Sequence, residues 1–525
     1  MSMGGRAKRD PAALMCRVLG VGTLGMTLGI ALAGCAVGPN FSSPPAPDVN
    51  RYTPEALASP RPESAAPKVA SQHFVTGADI STRWWAAFRS QPLNDLIRLS
   101  VEHNPSLQAA EAAIRVAQFN ALAQRGLFFP QVGVNYTGND QQLATTPTQS
   151  PDRYTLQTAQ LTVSFVPDIW GQNIRNVESL DAQTEQQQFQ LEAAYLTLSA
   201  NVVTAAIQEA SLRGQIAATQ RIIKIERDIL GILKNQFNAG QAAQVDVLTQ
   251  EAALAQAEQT LPPLQKQLAV QRDLLTALAG HFSADEILQK FDLAGLKLPA
   301  NLPVSLPSTM VRQRPDVRAA EAAMHSASAL VGVSIAARLP NITLSANPGV
   351  SAASFAQMFT PGTAFYTVAA SATQSVFDGM TLYHKQKAAE AALDQADALY
   401  RQAVITAMQN VADALRSLQA DARAVQAAIK TENAAKASLD IIQKQLTLGQ
   451  INQVTVLNAQ QVYFNAAISR VQAEATRLSD TAALFMVLGG GWPADCGTPD
   501  WRKCVFEPPV QREAMNSAMP ATTGR

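Results

Sequence analysis

The chain has 525 residues, 47% of them hydrophobic and 16% charged, enough to bury a large core or to divide into several domains. Lys and Arg together number 41, as do Asp and Glu, and no basic stripe is interleaved with aromatic side chains, which argues against an electrostatic hold on nucleic acid.

The N-terminus reads as a processing segment rather than as part of a fold. A basic stretch with Arg6, Lys8, Arg9 and Arg17 precedes an apolar run over 18–31, followed by Leu32, Ala33, Gly34 and Cys35. The run is shorter than the ~20 apolar residues of a spanning helix, so a membrane anchor with an incidental Cys is the weaker alternative to a signal peptide over 1–34. The LAGC ending resembles a bacterial lipobox, which implies cleavage before Cys35 and acylation of its thiol. Ala36 behind it resembles cargo released to the outer membrane. Beyond Cys35 the longest apolar runs, around 330–337 and 484–488, are about half the spanning length, so any membrane-crossing part is expected to be β.

Residues 35–72 form an expected tether, with eight prolines between 39 and 67 that disfavour helix and sheet interiors. After it the chain repeats itself. GQAAQVDVL at Gly240 is answered by GQINQVTVL at Gly449, 209 residues on, and NPSLQAAEAA at Asn104 by RPDVRAAEAA at Arg314, 210 residues on. FFPQVGVN at Phe128 pairs with RLPNITLS at Arg338, and LLTALAG at Leu274 with LFMVLGG at Leu484. Copies this long are far beyond the ~20–50 residues of a solenoid repeat, so they record a duplicated domain. The first copy is placed at 73–280 and the second at 312–491, with a linker at 281–311 and a tail at 492–525.

Each copy repeats one order of elements. In the first, an Ala-rich amphipathic segment leads to a strand pair near 130–166, a long helix over 171–236, a tip at Gly240 and a return helix. In the second, the strand pair falls near 340–377, the long helix over 380–447 and the tip at Gly449. No Pro occurs from Gly171 to Gln236, and Leu191, Tyr195, Leu198, Val202, Ala205 and Leu212 keep 3/4 spacing, resumed by Ile222, Ile225, Ile229 and Ile232. The second copy does likewise with Tyr400, Val404, Ala407, Val411, Ala414 and Leu418. At ~1.5 Å per residue each helix is about 100 Å long. The Ala content of the stripes favours a wall of closely packed helices over a simple coiled-coil rod. Pro262 and Pro263 are expected to kink the first return helix, where the second copy has Val471 and Gln472.

The strand pairs alternate with period two: Val132, Val134 and Tyr136; Leu161, Val163 and Phe165; Ile342 and Leu344; and a weaker Ala/Ser/Thr partner between 362 and 377. These four strands are the expected β inventory. An open sheet cannot span lipid, and the smallest single-chain barrels need about eight strands, so one chain cannot close a barrel alone. Three chains would supply twelve.

The sequence resembles the TolC-like outer-membrane efflux factors, in their NodT-type lipoprotein branch. The resemblance rests on CAVGPNF at Cys35, RWWAAF at Arg83, NPSLQAAEAAI at Asn104, FFPQV at Phe128, WGQ at Trp170, NAGQAAQVDVLTQ at Asn238, RQRPDVRAAEA at Arg312, FDG at Phe377 and LGQINQVTVLNAQ at Leu448. It implies a mainly α protein with a small β part: a homotrimer whose 12-stranded transmembrane barrel continues into a long periplasmic α-helical barrel. It further implies a channel that accepts substrate from an inner-membrane pump, of the resistance-nodulation-division class, through a periplasmic adaptor. The adaptor-facing hairpin tips would be Gly240, Gln241 and Gln244 with Gly449, Gln450 and Gln453. In relatives an acidic ring follows the second tip; here Thr455 and Asn458 stand at those positions and only Asp246, in the first copy, keeps an acid. Asp246 is therefore a gate candidate, with a helix-capping role as the alternative.

The five His have no zinc-like spacing, and no nucleophile elbow, phosphate loop or HExxH occurs, so neither metal nor enzyme chemistry is expected and the one covalent group is a lipid on Cys35. Trp84, Trp85 and Phe88 are expected to pack rather than bind a ligand. Cys496 and Cys504, eight apart in the tail, are candidates for a disulfide, with free thiols as the alternative. The competing functional reading is a lipid-anchored, pore-less coiled-coil scaffold of the envelope, for which paired period-two segments have no use.

Overall fold

The computed structural model describes residues 36–55, 59, 71–78, 80–142, 153–448, 450–490, 492 and 501–506. Cys35, Gly449 and Cys496 lie outside the described residues, as does the side chain of Cys504.

Strand β1 (His73–Thr76) and a 3-10 turn (Trp84–Phe88) lead into helices α1 (Gln91–His103) and α2 (Pro105–Arg125). Strands β2 (Gln131–Gln142) and β3 (Arg153–Phe165) follow, then the long helix α3 (Gln172–Asn238), then α4 (Gln244–Gln259) and α5 (Leu261–Leu278). A second pass runs through β4 (Asn301–Val304), α6 (Pro307–Gln313), α7 (Pro315–Ala336), β5 (Asn341–Ala352), β6 (Ala364–Thr373), the long helix α8 (Thr381–Thr447) and α9 (Gln453–Val487), and ends at α10 (Trp501–Phe506).

The two long helices each have 67 residues, about 100 Å at ~1.5 Å per residue. Each is preceded by an aspartate that caps its first turn. Asp168 accepts the N–H groups of Asn173 and Ile174, at 3.0 and 2.8 Å, and Asp378 accepts that of Leu382 at 2.9 Å. These side chains satisfy donors that a helix start leaves unpaired.

The chain divides into two compact units. One comprises the residues up to Ser43 with Ile114–Gln186 and Glu321–Leu399; the other comprises Pro44–Ala113, Gln187–Ala320 and the chain from Tyr400 onward. The first holds an antiparallel sheet in the order β2-β3-β5-β6. Its N-terminal segment is tied down by Arg175, which donates to the carbonyl of Val37 at 3.2 Å and to Asn40 Oδ1 at 2.7 Å, while Phe41 stacks on His325 at 4.3 Å.

The second unit is a helical wall. Leu191, Tyr195, Leu198, Val202, Ala205 and Leu212 are all buried on α3, as are Tyr400, Val404, Ala407, Val411, Ala414 and Leu418 on α8. The stripe weakens toward the end of α3, where Ile222 and Ile229 are buried, Ile225 is half-buried and Ile232 is exposed. Trp84, Trp85 and Phe88 are buried, Trp84 stacked on Phe485 at 5.5 Å and Trp85 edge-on to Tyr195 at 6.1 Å. These aromatics are core, as their setting predicts.

Three features depart from expectation. The β inventory is larger than four strands, because β1 and β4 form a separate parallel pair, His73 against Asn301 through Thr76 against Val304. Four-residue strands are too short to show a period, and one of these contains Pro303. The tail contains a helix, α10, whose Trp501 is buried and donates its indole N–H to Glu111 at 2.7 Å. Helix α7 has 22 residues and a mean hydropathy of 1.2 over its most apolar window, enough by length and composition to cross a membrane. It nonetheless carries Asp316, Arg318 and Glu321 and buries Ser326 and Ser328, the pattern of a core helix.

The first return helix is broken where expected. It is split at Thr260 into α4 and α5, with the two prolines in the first turn of α5, whereas α9 runs unbroken for 35 residues.

Candidate functional site: sheet faces and hairpin tips

In a sheet, directly paired residues share a face, so the register sorts the side chains. Val134 pairs with Leu161, Val132 with Val163, Val163 in turn with Ala346, Phe165 with Leu344, Ala346 with Val368, and Pro348 with Tyr366. That face is apolar across all four strands. The opposite face pairs Asn135 with Gln160, Gly133 with Thr162, Thr158 with Ser351, Thr343 with Ser371 and Asn347 with Thr367. The hydroxyls of Thr158 and Ser351 bond across it at 3.1 Å.

The apolar face is uncovered, with Val134 83% and Tyr366 80% exposed. It has aromatic residues at both ends: exposed Phe128 and Phe129 precede β2, and Phe355 and Phe359 follow β5, Phe355 lying edge-on to Tyr136 at 6.0 Å. Beyond Tyr136 the same face turns polar, where Asp140 pairs with Arg153 at 2.5 Å. An apolar band flanked by aromatics and backed by a polar face is the arrangement of a lipid-facing barrel wall. Strands β2 and β6 each have one edge unpaired among the described residues.

The hairpin tips lie in the second unit. Helix α3 ends in a Schellman motif: Gly240 has φ 73°, its N–H bonds the carbonyl of Phe237 at 2.9 Å, and Gln241 N–H bonds that of Gln236 at 2.8 Å. A Cβ at Gly240 would meet nothing within 4 Å, so the glycine serves the backbone angle alone. At the second tip Gln450 N–H makes the same bond to Gln445 at 3.0 Å. Helix α9 is then capped by Asn452, which accepts the N–H and hydroxyl of Thr455 at 3.1 and 2.8 Å.

Gln241, Gln244, Gln450, Thr455 and Asn458 are exposed. Asp246 is half-buried, and its Oδ2 accepts the N–H of Ala243 at 3.3 Å, closing the head of α4. Gln453 departs from the expected tip surface. It is 4% exposed, and its amide nitrogen donates to Gln250 Oε1 at 2.6 Å.

Gln453 belongs to a buried polar layer that ties α9 to the first helix pair. Gln250 donates to both the carbonyl and the carboxylate of Glu226, and Gln460 lies against the same carboxylate. Glu226, Gln250 and Gln460 are 5%, 0% and 2% exposed. Burial pushes the Glu226 carboxyl up from its usual range, opposed by the bond from Gln250. Sequence reasoning passed over this layer, although a signal existed. Glu226 falls at i+3 and i+4 from Ile223 and Ile222, and at the same spacing before Ile229 and Leu230, on the stripe that should be apolar.

The comparisons agree with the geometry. The profile of the family described as outer membrane efflux protein matches residues 96–281 and 306–490, one segment in each copy and together well over half of the chain. The pyoverdine export outer membrane protein OpmQ of Pseudomonas putida is 28% identical over 430 residues, covering 79% of this chain and 89% of that protein. The toluene efflux pump outer membrane protein TtgF of Pseudomonas putida is 25% identical over 495 residues, covering 89% and 96%. Among solved structures, the outer-membrane channel OprN superposes with a TM-score of 0.77 at 24% identity, covering 87% of this chain and all of that one. The Campylobacter jejuni CmeC outer membrane channel gives 0.79 at 19% identity, covering 90% and 98%. With its internal repeat, two-faced sheet and long helices, the chain belongs to the outer membrane efflux protein family.

Proposed function

We propose that the protein is the outer-membrane conduit of a tripartite efflux system, passively carrying toxic small molecules from an inner-membrane pump and a periplasmic adaptor to the outside. The supporting observation is the four-stranded sheet with one apolar face, one polar face and two edges unpaired among the described residues. Three copies would close it into twelve strands around a polar bore. In this reading Cys35 carries the lipid, Gly240, Gln241, Gln244, Gly449 and Gln450 meet the adaptor, and Asp246, Thr455 and Asn458 stand at the periplasmic mouth.

The test is conductance of the detergent-purified protein in a planar bilayer, together with its mass in solution. Discrete channels from a particle of three chains are expected. A particle that inserts without conducting, or a chain that becomes water-soluble once the lipid is removed, would support the pore-less scaffold instead.

A further inference from the structure

We propose that Glu226 and Gln460 form a proton-operated joint that sets how firmly α9 is held to the first helix pair at the hairpin tips. Glu226 projects from α3 into the layer between α4 and α9. One carboxylate oxygen takes the amide N–H of Gln250, and the Gln460 amide can place its nitrogen 3.3 Å from both oxygens. A primary amide presents a donor at nitrogen and an acceptor at oxygen, exchanged by a half-turn of the side chain. An ionised Glu226 only accepts, so it requires the nitrogen of Gln460. A protonated Glu226 has one O–H to donate, so it requires the oxygen. The amide of Gln460 therefore turns with the proton on Glu226.

The surroundings leave that carboxylate without a cation. Arg227 is paired with Glu258 of α4 at 2.7 Å and Lys234 with Glu251 at 2.8 Å, and both pairs are exposed. Asp246, the other ionisable group of α4, is turned to the N–H of Ala243. Asp228, Asp440 and Lys444 line a separate groove between α3 and α8. Between Gln453 and Arg470, α9 offers Tyr463 alone. A cavity of about 390 Å³ lined by Glu226, Asn458, Gln460 and Gln461 gives the proton a way in.

Because burial raises the Glu226 pKa, the folded tip holds the proton at a pH where an unfolded chain has lost it. The tip is therefore firmest in acid and loosens as pH rises through the raised value. The second copy has Ala435 and Ala459 where the first has Glu226 and Gln250, so the equivalent place in the second copy lacks the joint.

Hydrogen exchange of the full-length, detergent-purified protein tests this, read from pH 5 to 8 and corrected for intrinsic rates. Peptides over 226–250 and 453–460 of the wild type should lose protection with rising pH, on the order of tenfold for each unit by which the pKa is raised. Glu226→Gln should hold them at the acid level throughout. Gln460→Met, which removes an amide whose bond to the charged carboxylate is stronger than its bond to the neutral acid, should move the transition to higher pH. A flat wild-type profile, a Glu226→Gln profile as steep as the wild type, or an unmoved transition in Gln460→Met would each overturn the joint. None of these readouts depends on conduction, so they stand apart from the channel test.

Discussion

Asp168 and Asp378 stand 210 residues apart and each serves the first turn of a 67-residue helix, Asp168 by accepting two N–H groups and Asp378 by accepting one. The bond is local to each helix start, so its loss should be local too. Asp168→Ala should cost about 1 kcal/mol and Asp168→Asn less, because the amide oxygen can keep one of the two bonds. Hydrogen exchange of both Asn173 and Ile174 should accelerate in the alanine variant, and of only one of them in the asparagine variant. Equal protection in both would show that α3 is held by packing alone.

Gly240 and Gly280 both have left-handed backbones, with φ 73° and 80°, but differ in the space around them. A Cβ at Gly280 would lie 2.6 Å from the carbonyl oxygen of His103, whereas Gly240 is open. Gly240→Ala should therefore cost only the backbone term, ~1–2 kcal/mol. Gly280→Ala should add displacement of the α1 end and lower the yield of folded protein further. Thermal midpoints of the two variants at one scan rate check the order.

At the mouth, the expected charge pattern is one acid per chain. Three Asp246 carboxylates in a narrow bore would have a strong field, whereas Thr455 and Asn458 offer only dipoles. Asp246→Asn should lower cation selectivity in single-channel recordings, and Thr455→Asp should raise it and tighten block by divalent cations. Unchanged selectivity in both, with assembly intact, would leave Asp246 as the cap that its bond to Ala243 makes it.

Asp421 on α8 is pushed up to about 7 by burial and by the neighbouring Asp480 of α9, with Arg477 opposing. The folded value lies above the ordinary carboxylate range, so the folded protein holds an extra proton. The stability it confers is present in acid and is lost as pH rises toward about 7. Asp421→Asn should flatten the fall of the thermal midpoint between pH 5 and about 7.5 without lowering its value at neutrality. A slope identical to the wild type would place the proton elsewhere.

Lipidation at Cys35 predicts an intact mass with acyl chains on the membrane-extracted protein, lost in Cys35→Ser. Because a closed barrel spans lipid by itself, membrane localisation should weaken less than the loss of acyl mass implies.

The parts of the fold that could be read from sequence are those where one physical period dominates many residues. The Pro-free stretch over 171–236 and the alternation of Val132, Val134 and Tyr136 are signals of this kind. Where few residues act, the signal disappears. Strands β1 and β4 pair through four residues each, and α10 is held by Trp501 reaching Glu111 across 390 positions of sequence. The buried amide layer was hidden for another reason: Gln244 and Gln453 occupy equivalent places in the two copies and look interchangeable, yet the first is exposed and the second buried. Only the partner decides, and Gln453 has Gln250.

That divergence makes each copy depend on the other. The layer takes Glu226 and Gln250 from the first copy and Gln453 and Gln460 from the second, and the first copy offers Glu251 where the second has Gln460. Either half alone would still have three strands and a long hairpin, but only one side of this layer. The two copies are thus joined by complementary side chains in the helices as well as by the pairing of β3 with β5 in the sheet.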